Sequence, residues 1–395
     1  MNNFVPKNII PYGKQEITEE DINSVLSVLK SDFLTQGPSI LEFESKFSSY
    51  IGAKYSVAVS NGTTALHLCA VVLGVTKGKK VITTPITFAA TANCIRYCDG
   101  EVVFVDIDPE TALMDLDKLY NLLRSYPIGT FSGVIPVDFA GFPFDMERLR
   151  NIADEFGLWI IEDACHAPGG NFIDTKGIIQ NCGNCNFADL AIFSFHPVKH
   201  IATGEGGMIT TNNFELYEKL RTLRTHGITR EISKFTNNTI SIEQGGWYME
   251  MQELGFNYRL SDIQACLGIS QLNRAKENLD KRKKIASVYD SAFENSNIKY
   301  LKDKTMGGHA YHLYVIIVEK RKELYNYLKE NNILSQVHYI PVHLMPYYKN
   351  FGWVVGDMPE AENYYNKCLS IPIYPSLSDD EQQFVIEKLI NFYKK

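Results

Sequence analysis

The stretch LWIIEDACHAPGG, residues 158–170, begins with four consecutive apolar residues and then places two carboxylates ahead of a glycine pair. A strand with one face in water alternates apolar and polar residues. A run that is apolar at every position is instead typical of a strand buried on both faces. The stretch therefore predicts a central strand in a sheet that is covered by helices on both sides.

Similar apolar runs recur along the first half of the chain, separated by segments with helical periodicity. Strands that alternate with helices predict an α/β fold with a mainly parallel, seven-stranded sheet. The predicted strands are 54–60, 80–84, 102–106, 133–137, 158–162, 190–195 and 207–211.

The last third of the chain has a different pattern of elements. The capping box Ser261-Asp262-Ile263-Gln264 predicts the start of a helix that extends to about residue 295, and Ser378 opens the capping box of the last helix. Strand-like runs at 312–319 and 334–340 enclose a helical segment. We therefore expect a large α/β domain, with the N-terminal segment, over residues 1–260 and a smaller α+β domain over residues 261–395.

The overall composition argues against several classes of protein. The chain has 395 residues, of which 45% are hydrophobic and 22% charged, as in globular proteins. Its formal net charge of −7 lacks the basic footprint that nucleic-acid binding requires. No apolar stretch reaches the ~18 residues of a membrane span, and the N-terminus has no signal-peptide pattern. We expect a cytoplasmic protein with neither nucleic acid nor a membrane as its partner.

The eight cysteines indicate reduced thiols rather than a disulfide framework. Most lie in apolar runs, as Cys69, Cys94 and Cys266 do, which is typical of buried thiols in a reducing compartment. Cys182 and Cys185 form a C-x-x-C, but no second C-x-x-C or paired-histidine motif supplies the remaining ligands of a zinc site. The sequence therefore predicts a turn with two thiols and no metal.

Three polar positions follow predicted strands, at the sheet edge where parallel sheets bind ligands. Gly62-Thr63-Thr64 offers backbone N–H groups, two hydroxyls and a helix N-terminus, which suit a phosphate, although an ordinary helix cap has the same composition. Asp163 lies at the edge of a buried strand and needs a partner, either a structural arginine or a protonated pyridine nitrogen. Lys199 follows a later run, within SFHPVKHIATGEGG.

A phosphate turn, a buried acid and a loop lysine, in this order, predict a site for pyridoxal phosphate (PLP). In PLP enzymes an acid keeps the pyridine ring cationic and electron-withdrawing, while a lysine amine bonds to the cofactor and carries protons. A lysine on a loop is otherwise ordinary solvated charge, so the context rather than the residue type carries this prediction.

Six segments of the chain, in order, resemble the signature segments of the DegT/DnrJ/EryC1/StrS sugar aminotransferase family. They are SNGTTALHL, TTPITFAATAN, EDACHAPGG, FSFHPVKHIATGEGG, RTHGI and LGFNYRLSDIQACLGISQL. The resemblance extends over essentially the whole chain. It implies the fold type I architecture of PLP-dependent transferases, PLP as the cofactor and transfer of an amino group.

The resemblance also assigns roles to single residues. It makes Lys199 the catalytic base that bonds to the cofactor and Asp163 the partner of the pyridine nitrogen. It further implies that the ring of Phe88 stacks on the cofactor and that His166 contacts the phenolic oxygen of the cofactor. It implies phosphate contacts from Thr63, Thr64 and Ser194. It also implies a homodimer with shared active sites, in which Asn257 contacts the phosphate in the neighbouring subunit.

The segments IPYGKQEITEEDI, SDFLTQGPSILEFE, WYMEMQELGFNYRLSD and SQVHYIPVHLMPYY resemble more closely the members that act at sugar C4. They imply that L-glutamate donates an amino group to a UDP-linked 4-keto-6-deoxy-2-acetamido sugar, in pseudaminic acid or related surface-glycan synthesis. Another GDP-, dTDP- or UDP-keto sugar, aminated at C4 or C3, is the alternative. The candidate sugar contacts are Trp247, Tyr248, His338, Tyr339 and His343.

Two other classes of function are less well supported by the sequence. Sugar dehydratases of the same family replace the lysine by histidine, whereas Lys199 has the family's spacing to the TGEGG turn and His200 is one residue late. A non-catalytic PLP-fold regulator would carry an additional DNA-binding segment. We therefore predict a transaminase.

Overall fold

The computed structural model describes residues 6, 8–237, 245–303, 305 and 307–394. The α-helices are α1 (Glu19–Leu29), α2 (Pro38–Ile51), α3 (Gly62–Val72), α4 (Ala89–Tyr97), α5 (Leu116–Arg124), α6 (Met146–Phe156), α7 (Phe214–Arg224), α8 (Asp262–Asn273), α9 (Ala275–Phe293), α10 (Arg321–Glu330), α11 (Pro346–Lys349), α12 (Pro359–Lys367) and α13 (Asp379–Tyr393). The strands are β1 (Tyr55–Val59), β2 (Lys80–Thr83), β3 (Glu101–Phe104), β4 (Phe131–Ile135), β5 (Trp159–Asp163), β6 (Asn171–Ile173), β7 (Ile179–Asn181), β8 (Leu190–Ser194), β9 (Gly207–Thr211), β10 (Ile228–Thr229), β11 (Glu250–Met251), β12 (Lys299–Tyr300), β13 (Tyr314–Ile317) and β14 (Cys368–Ile371).

The large sheet confirms the prediction of seven mainly parallel strands. Its order is β1-β9-β8-β5-β4-β2-β3, and each strand falls on one of the seven apolar runs. The pairs from β8 through β5, β4 and β2 to β3 are all parallel. Only β9 runs antiparallel, to both of its neighbours. With helices between most of its strands, the sheet has the α/β architecture of fold type I PLP enzymes.

Both faces of the sheet are covered, which explains why the runs are apolar at every position. In β1, Val57 and Val59 belong to a cluster with residues of α3, α4 and α7. Ala58 points to the opposite face and packs in a cluster with Phe43 and Phe47 of α2. Because successive side chains of a strand alternate between faces, two covered faces require apolar residues throughout.

The smaller C-terminal sheet consists of the antiparallel strands β12, β13 and β14. The predicted run 312–319 contains β13, and the helical segment after it is α10. The predicted strand at 334–340 is wrong, because this segment makes only one isolated bridge, from Gln336 to Ser370. Two strands, β12 and β14, were not predicted.

The helix predicted from Ser261 to about residue 295 is also wrong in its length. The capping box is confirmed, but the chain divides into α8 and α9 at Arg274, whose backbone leaves the helical region (φ −112°, ψ 11°). The guanidinium of Arg274 forms an ion pair with the buried carboxylate of Asp21 on α1 (2.5 Å). This long-range contact accompanies the break in the helix. The last helix begins at its predicted cap, Ser378.

The division of the chain into domains at residues 260/261 stays a proposal. The apolar cluster of the C-terminal part includes Tyr289, Tyr314 and Leu389, together with Ile10 from the N-terminal segment. Helix α8, in contrast, packs on the helices of the large sheet, where Phe43 lies against Gly268. In the part of the chain that the structure describes, no helix is long and apolar enough to cross a bilayer.

Candidate active site

The carboxyl ends of the central strands form one edge of the large sheet, and the predicted catalytic residues lie along this edge. β1 leads into α3 after Val59, β5 ends at Asp163, and β8 ends at Ser194. Lys199 lies in the turn after β8, where its N–H donates to the carbonyl of His196 (2.8 Å). The fold therefore brings the phosphate turn, the acid and the lysine to the same side of the sheet.

The N-terminus of α3 combines a helix cap with unused donors. The side chain of Asn61 accepts from the N–H of Thr64 (2.9 Å), and the hydroxyl of Thr64 donates to the carbonyl of Asn61 (2.8 Å). Thr64 is thus part of the cap through its hydroxyl. No hydrogen bond within the described residues uses the hydroxyl of Thr63. The first helical N–H groups have no intrahelical acceptor, so Thr63 and the helix end together offer donors to an anion.

Two glycines allow the backbone to pack closely around this helix end. A Cβ on Gly207 of β9 would lie 2.5 Å from the carbonyl oxygen of Asn61, a distance that no side chain tolerates. A Cβ on Gly62 would lie 3.1 Å from Cβ of Ser194. The GEGG turn therefore ends in a residue, Gly207, that must be glycine, and Ser194 lies directly beside the start of α3.

Asp163 is a buried carboxylate with polar but uncharged partners. Its Oδ2 accepts from the hydroxyl of Thr91 (2.7 Å), and its Oδ1 accepts from the N–H of Cys165 (3.3 Å). Within the described residues, no arginine, lysine or histidine nitrogen lies within ion-pair distance of it. The described residues therefore offer Asp163 no structural arginine partner. Its carboxylate remains available to a cationic group of a ligand.

Phe88 immediately precedes α4, the helix that also carries Thr91 to Asp163. Its side chain is 62% exposed, and its ring centroid lies 6.3 Å from that of Tyr339. An exposed phenylalanine has a free face for stacking and is not a core residue. Thr91 itself was not singled out in the sequence, although it lies one helical turn after Phe88.

The amine of Lys199 lies in a partly buried environment. Burial lowers the pKa of Lys199, and the neighbouring Cys165 and Asp163 partly oppose this shift. A lysine with a lowered pKa has a larger neutral fraction at a given pH, and the neutral amine is the form that acts as a base or a nucleophile.

His166 is held by two polar contacts at the ring nitrogens. The N–H of Ala140 donates to Nδ1 (3.2 Å), and the hydroxyl of Tyr339 lies 3.3 Å from Nε2. Burial lowers the pKa of His166 well below its ordinary value, and the charge of Lys199 adds to the effect. Burial therefore favours the neutral ring, and because Nδ1 accepts a hydrogen bond, the neutral form carries its proton on Nε2.

Three predicted residues lie in the segment 247–257. Asn257 is exposed and forms an isolated bridge with Thr225. Trp247 is 76% exposed, whereas the hydroxyl of Tyr248 donates to the carboxylate of Glu250 (3.0 Å). An exposed asparagine and tryptophan are available to a second molecule.

The three predicted residues of the segment 338–343 differ in their positions. Tyr339 lies at the site, beside His166 and Phe88. His338 is buried, and its Nδ1 lies 2.8 Å from the hydroxyl of Ser370. His343 is 0% exposed, and its Nε2 lies 3.1 Å from Glu362. His343 therefore has no exposed surface to offer a sugar, and its geometry corresponds to a structural contact.

A buried acid pair lies behind the strand ends and was missed in the sequence. The carboxyl groups of Asp138 and Glu162 and the thiol of Cys182 lie within 4.8 Å of one another. Asp138 accepts from the N–H of Phe144 (3.0 Å) and Glu162 from that of Gly183 (2.8 Å). Burial, with the neighbouring Glu162, raises the pKa of Asp138, and burial raises the pKa of Glu162. Two buried carboxylates this close repel each other, so protonation of one of them favours the pair.

The two thiols of the C-x-x-C motif point to different partners. Cys182 faces the acid pair, whereas the thiol of Cys185 donates to the carbonyl of Thr210 (3.2 Å). All eight cysteines are free. The motif follows the β6–β7 hairpin, whose last residue is Asn181.

The acid pair predicts a pH dependence of stability. A carboxyl group with a raised pKa in the folded state contributes stability that is present below about pH 4, the ordinary pKa of free carboxyl groups, and is lost as the pH rises through the raised value. Asp138→Asn supplies an amide N–H to Glu162 without a titrating proton. We therefore expect the free energy of unfolding of this variant to depend less on pH between about 5 and 8.

Urea unfolding of both proteins at several pH values measures this difference. Asp154→Asn, at an exposed carboxylate beside Arg150, is the control and should follow the wild-type pH dependence. Parallel curves for wild type and Asp138→Asn would show that the pair does not share a proton.

Known proteins are similar to this chain over almost its whole length. A model of the DegT/DnrJ/EryC1/StrS aminotransferase family matches residues 15–390. The chain is 38% identical to the spore coat polysaccharide biosynthesis protein SpsC of Bacillus subtilis, over 100% of this chain and 98% of that protein. It is 37% identical to the UDP-4-amino-4,6-dideoxy-N-acetyl-beta-L-altrosamine transaminase of Campylobacter jejuni, over 98% of both chains.

Solved aminotransferase structures are also similar to this chain. The putative sugar aminotransferase Spr1654 of Streptococcus pneumoniae, in its PMP form, superposes with a TM-score of 0.88 at 30% identity, over 98% of this chain and 99% of that one. The same protein has also been solved in a PLP form. Helicobacter pylori PseC, an aminotransferase involved in the biosynthesis of pseudoaminic acid, superposes with a TM-score of 0.87 at 28% identity, over 98% and 100% of the two chains.

Proposed function

Because the chain belongs to the DegT/DnrJ/EryC1/StrS aminotransferase family, we propose that it transfers an amino group from L-glutamate to C4 of a UDP-linked 4-keto-6-deoxy-2-acetamido sugar. That it is a PLP-dependent nucleotide-sugar aminotransferase follows from the family and its relatives. The donor, the sugar and the residue roles are the proposal. The observation that carries it is the partly buried lysine beside a buried carboxylate that lacks a cationic partner within the described residues.

The residues at the sheet edge fit PLP on the geometry of this chain. Asp163 offers to a protonated pyridine nitrogen a buried carboxylate that has no cationic partner within the described residues, and Phe88, one helical turn before Thr91, offers an exposed ring face. The N-terminus of α3, with Thr63 and the adjacent Ser194, offers donors to a phosphate. The proposed phosphate contacts are Thr63, Thr64 and Ser194. Both the hydroxyl and the N–H of Thr64 already donate to Asn61, so a phosphate contact of Thr64 would replace one of these bonds.

When bound, PLP supplies an electron sink that makes a carbon–hydrogen bond next to an amine acidic. Asp163 holds the pyridine nitrogen in its charged form. His166, with its proton on Nε2, can donate a hydrogen bond to an anionic oxygen. Lys199 Nζ removes the proton from the α-carbon of glutamate in the first half-reaction, and donates a proton to C4 of the sugar in the second. The lowered pKa of Lys199 favours the neutral amine that the first step needs.

We also propose a homodimer in which Asn257 serves the active site of the neighbouring subunit. Asn257 is exposed within its own chain. Helix α1 exposes Ile22, Leu26 and Leu29, each by more than two-fifths of its surface. Contiguous exposed apolar residues are typical of surfaces that bind another protein, and a second copy of this chain is the partner that the proposal requires.

Complementation between two inactive variants tests the shared site. Asn257→Asp places a negative charge where we expect a phosphate and should greatly reduce activity by like-charge repulsion. Mixed with Lys199→Ala, it should form heterodimers with one site that has both an intact Lys199 and an intact Asn257 from its neighbour. Random exchange then restores about a quarter of wild-type activity.

The control mixture is Lys199→Ala with Lys199→Arg, in which every site has a defective lysine position and no activity returns. Subunit exchange is verified by native mass spectrometry of tagged chains. If exchange is complete and the Asn257→Asp mixture stays inactive, Asn257 does not act across a subunit boundary.

The sugar and its nucleotide are tested by a panel of substrates. Binding energy from a remote nucleotide can position the carbonyl carbon at the site of reaction, so its removal costs turnover rate as well as affinity. We expect the UDP-linked 4-keto-6-deoxy-2-acetamido sugar to be aminated at C4, with kcat/KM at least about 100-fold above that of the free sugar. Mass spectrometry and NMR of the products identify the aminated carbon.

The panel includes 4-keto sugars linked to GDP and dTDP, with glutamate, aspartate and alanine as donors. A product aminated at C3, or equal efficiency with the free sugar, would contradict the proposed substrate and leave the PLP site unaffected. A role in pseudaminic acid or related surface-glycan synthesis depends on this result. Its support is the similarity to PseC and to the Campylobacter transaminase. The eight free thiols support the cytoplasm as the proposed location.

A further inference from the structure

A second buried imidazole lies directly against the ring of His166. It belongs to His312, in the segment that precedes β13, and the two ring centroids are 4.2 Å apart at an interplanar angle of 36°. A third imidazole, that of His200, lies beyond His312 at 5.7 Å. All three rings are at least nine-tenths buried, and His200 is the chain neighbour of Lys199.

The backbone around His312 is anchored from the interior. The fully buried guanidinium of Arg282 on α9 donates through Nη1 to the carbonyls of Tyr311 (3.1 Å), His312 (3.4 Å) and Ile373 (3.0 Å). These bonds tie α9 to the segments before β13 and after β14. His312 is therefore presented to His166 by a rigid support and not by a surface loop.

The contact of His312 with His166 is made by the ring face. Within the described residues, Nδ1 of His312 has no hydrogen-bond partner, and no hydrogen bond joins the nitrogens of the two rings. His166, in contrast, uses Nδ1 toward Ala140 and Nε2 toward Tyr339. Two edge contacts fix where a flat ring lies, but a ring also needs a surface against its face to be held in one plane.

We propose that His312 is a positioning residue that acts through His166: its ring face holds the imidazole of His166 in the plane in which Nδ1 accepts from Ala140. That bond keeps the His166 proton on Nε2, the side that faces Tyr339. This inference rests on the proposed function insofar as His166 is expected to contact the cofactor. The arrangement of the rings itself is independent of it.

Two substitutions of His312 test the role of its flat ring face separately from the roles of its nitrogens and its volume. His312→Phe keeps a flat face and removes both nitrogens, whereas His312→Leu keeps much of the volume without a flat face. His312→Asn is a second variant without an aromatic ring, in case the leucine variant does not fold. Crystal structures of the cofactor-free proteins measure the distance from Ala140 N to His166 Nδ1, and fluorescence quenching measures the Kd of PLP itself.

In His312→Leu or His312→Asn we expect the His166 ring to rotate and its bond to Ala140 to be lost. The Kd of PLP should rise about 3- to 10-fold, the scale of a lost aromatic pair. In His312→Phe both quantities should stay as in the wild type. An unchanged ring and Kd in the non-aromatic variants, or loss of both in His312→Phe, would overturn the proposal. A fall in Tm without movement of the His166 ring also contradicts the proposal, because that result would indicate a purely structural role of His312.

The proposed function fails separately. If wild-type protein does not bind PLP, the assignment of the cofactor site is wrong, while the Ala140–His166 distance in the variants still decides the role of His312.

Discussion

Lys199→Ala is expected to abolish amino transfer while the protein remains folded. The amine of Lys199 is the proposed base for both half-reactions, and no other side chain at the sheet edge replaces a neutral lysine amine. Loss of a general base and of a covalent anchor for the cofactor together cost about 10⁴-fold or more in turnover. The fold should persist, because burial already disfavours the charged form of this lysine and its removal takes away no core contact.

The measurement is kcat with glutamate and the keto sugar, together with borohydride reduction followed by peptide mass spectrometry. Reduction should attach the cofactor to Lys199 in the wild type and to no residue in Lys199→Ala. Lys219→Ala, at an exposed lysine on α7, is the matched control and should have wild-type activity. Labelling of a different lysine in the wild type would show that Lys199 is not the residue that bonds to the cofactor.

Asp163→Asn is expected to retain bound cofactor and lose most of the activity. An amide at this position can still accept from Thr91, so the local structure should persist. It cannot, however, stabilise a proton on the pyridine nitrogen, and the ring then withdraws electrons poorly. Removing one partner of a buried charge pair costs about 2–5 kcal/mol. That cost corresponds to a fall in kcat of roughly 30-fold to several thousand-fold.

Absorbance of the bound cofactor and kcat are measured on the same preparation, so that loss of cofactor is distinguished from loss of reactivity. Asp138→Asn is the matched control, since it also replaces a buried aspartate by its amide near the strand ends, and we expect it to remain active. Wild-type turnover in Asp163→Asn would mean that the carboxylate does not serve the pyridine nitrogen.

The strands of the large sheet were predictable because their burial leaves a local pattern. A strand covered on both faces must be apolar at every position, and each of the seven runs with this pattern is a strand of the sheet. The helix caps at Ser261 and Ser378 were predictable for a similar reason, since a cap is made by residues three positions apart. Such features depend on neighbours in the sequence.

Elements that depend on distant partners were predicted less well. The helix after Ser261 breaks at Arg274, whose guanidinium pairs with Asp21 at a distance of 253 positions in the chain. The segment 334–340 has the composition of a strand but makes only one isolated bridge, between Gln336 and Ser370. Neither outcome is visible in a local window, because the competing contact comes from another part of the chain.

The sequence by itself determined the α/β sheet, and it places Lys199, Asp163 and the turn at Thr63 after strands whose ends meet at one edge. The tertiary structure alone decided that the Asp163 carboxylate bonds to Thr91, that Asp138 and Glu162 form a buried pair, and that His343 is enclosed with Glu362. It also decided the tautomer of His166. That tautomer depends on the N–H of Ala140, which is 26 positions away in the chain. The other ring nitrogen faces the hydroxyl of Tyr339, which is 173 positions away. Periodicity records which side of an element is buried, whereas a proton's position depends on atoms that only packing brings within hydrogen-bond distance.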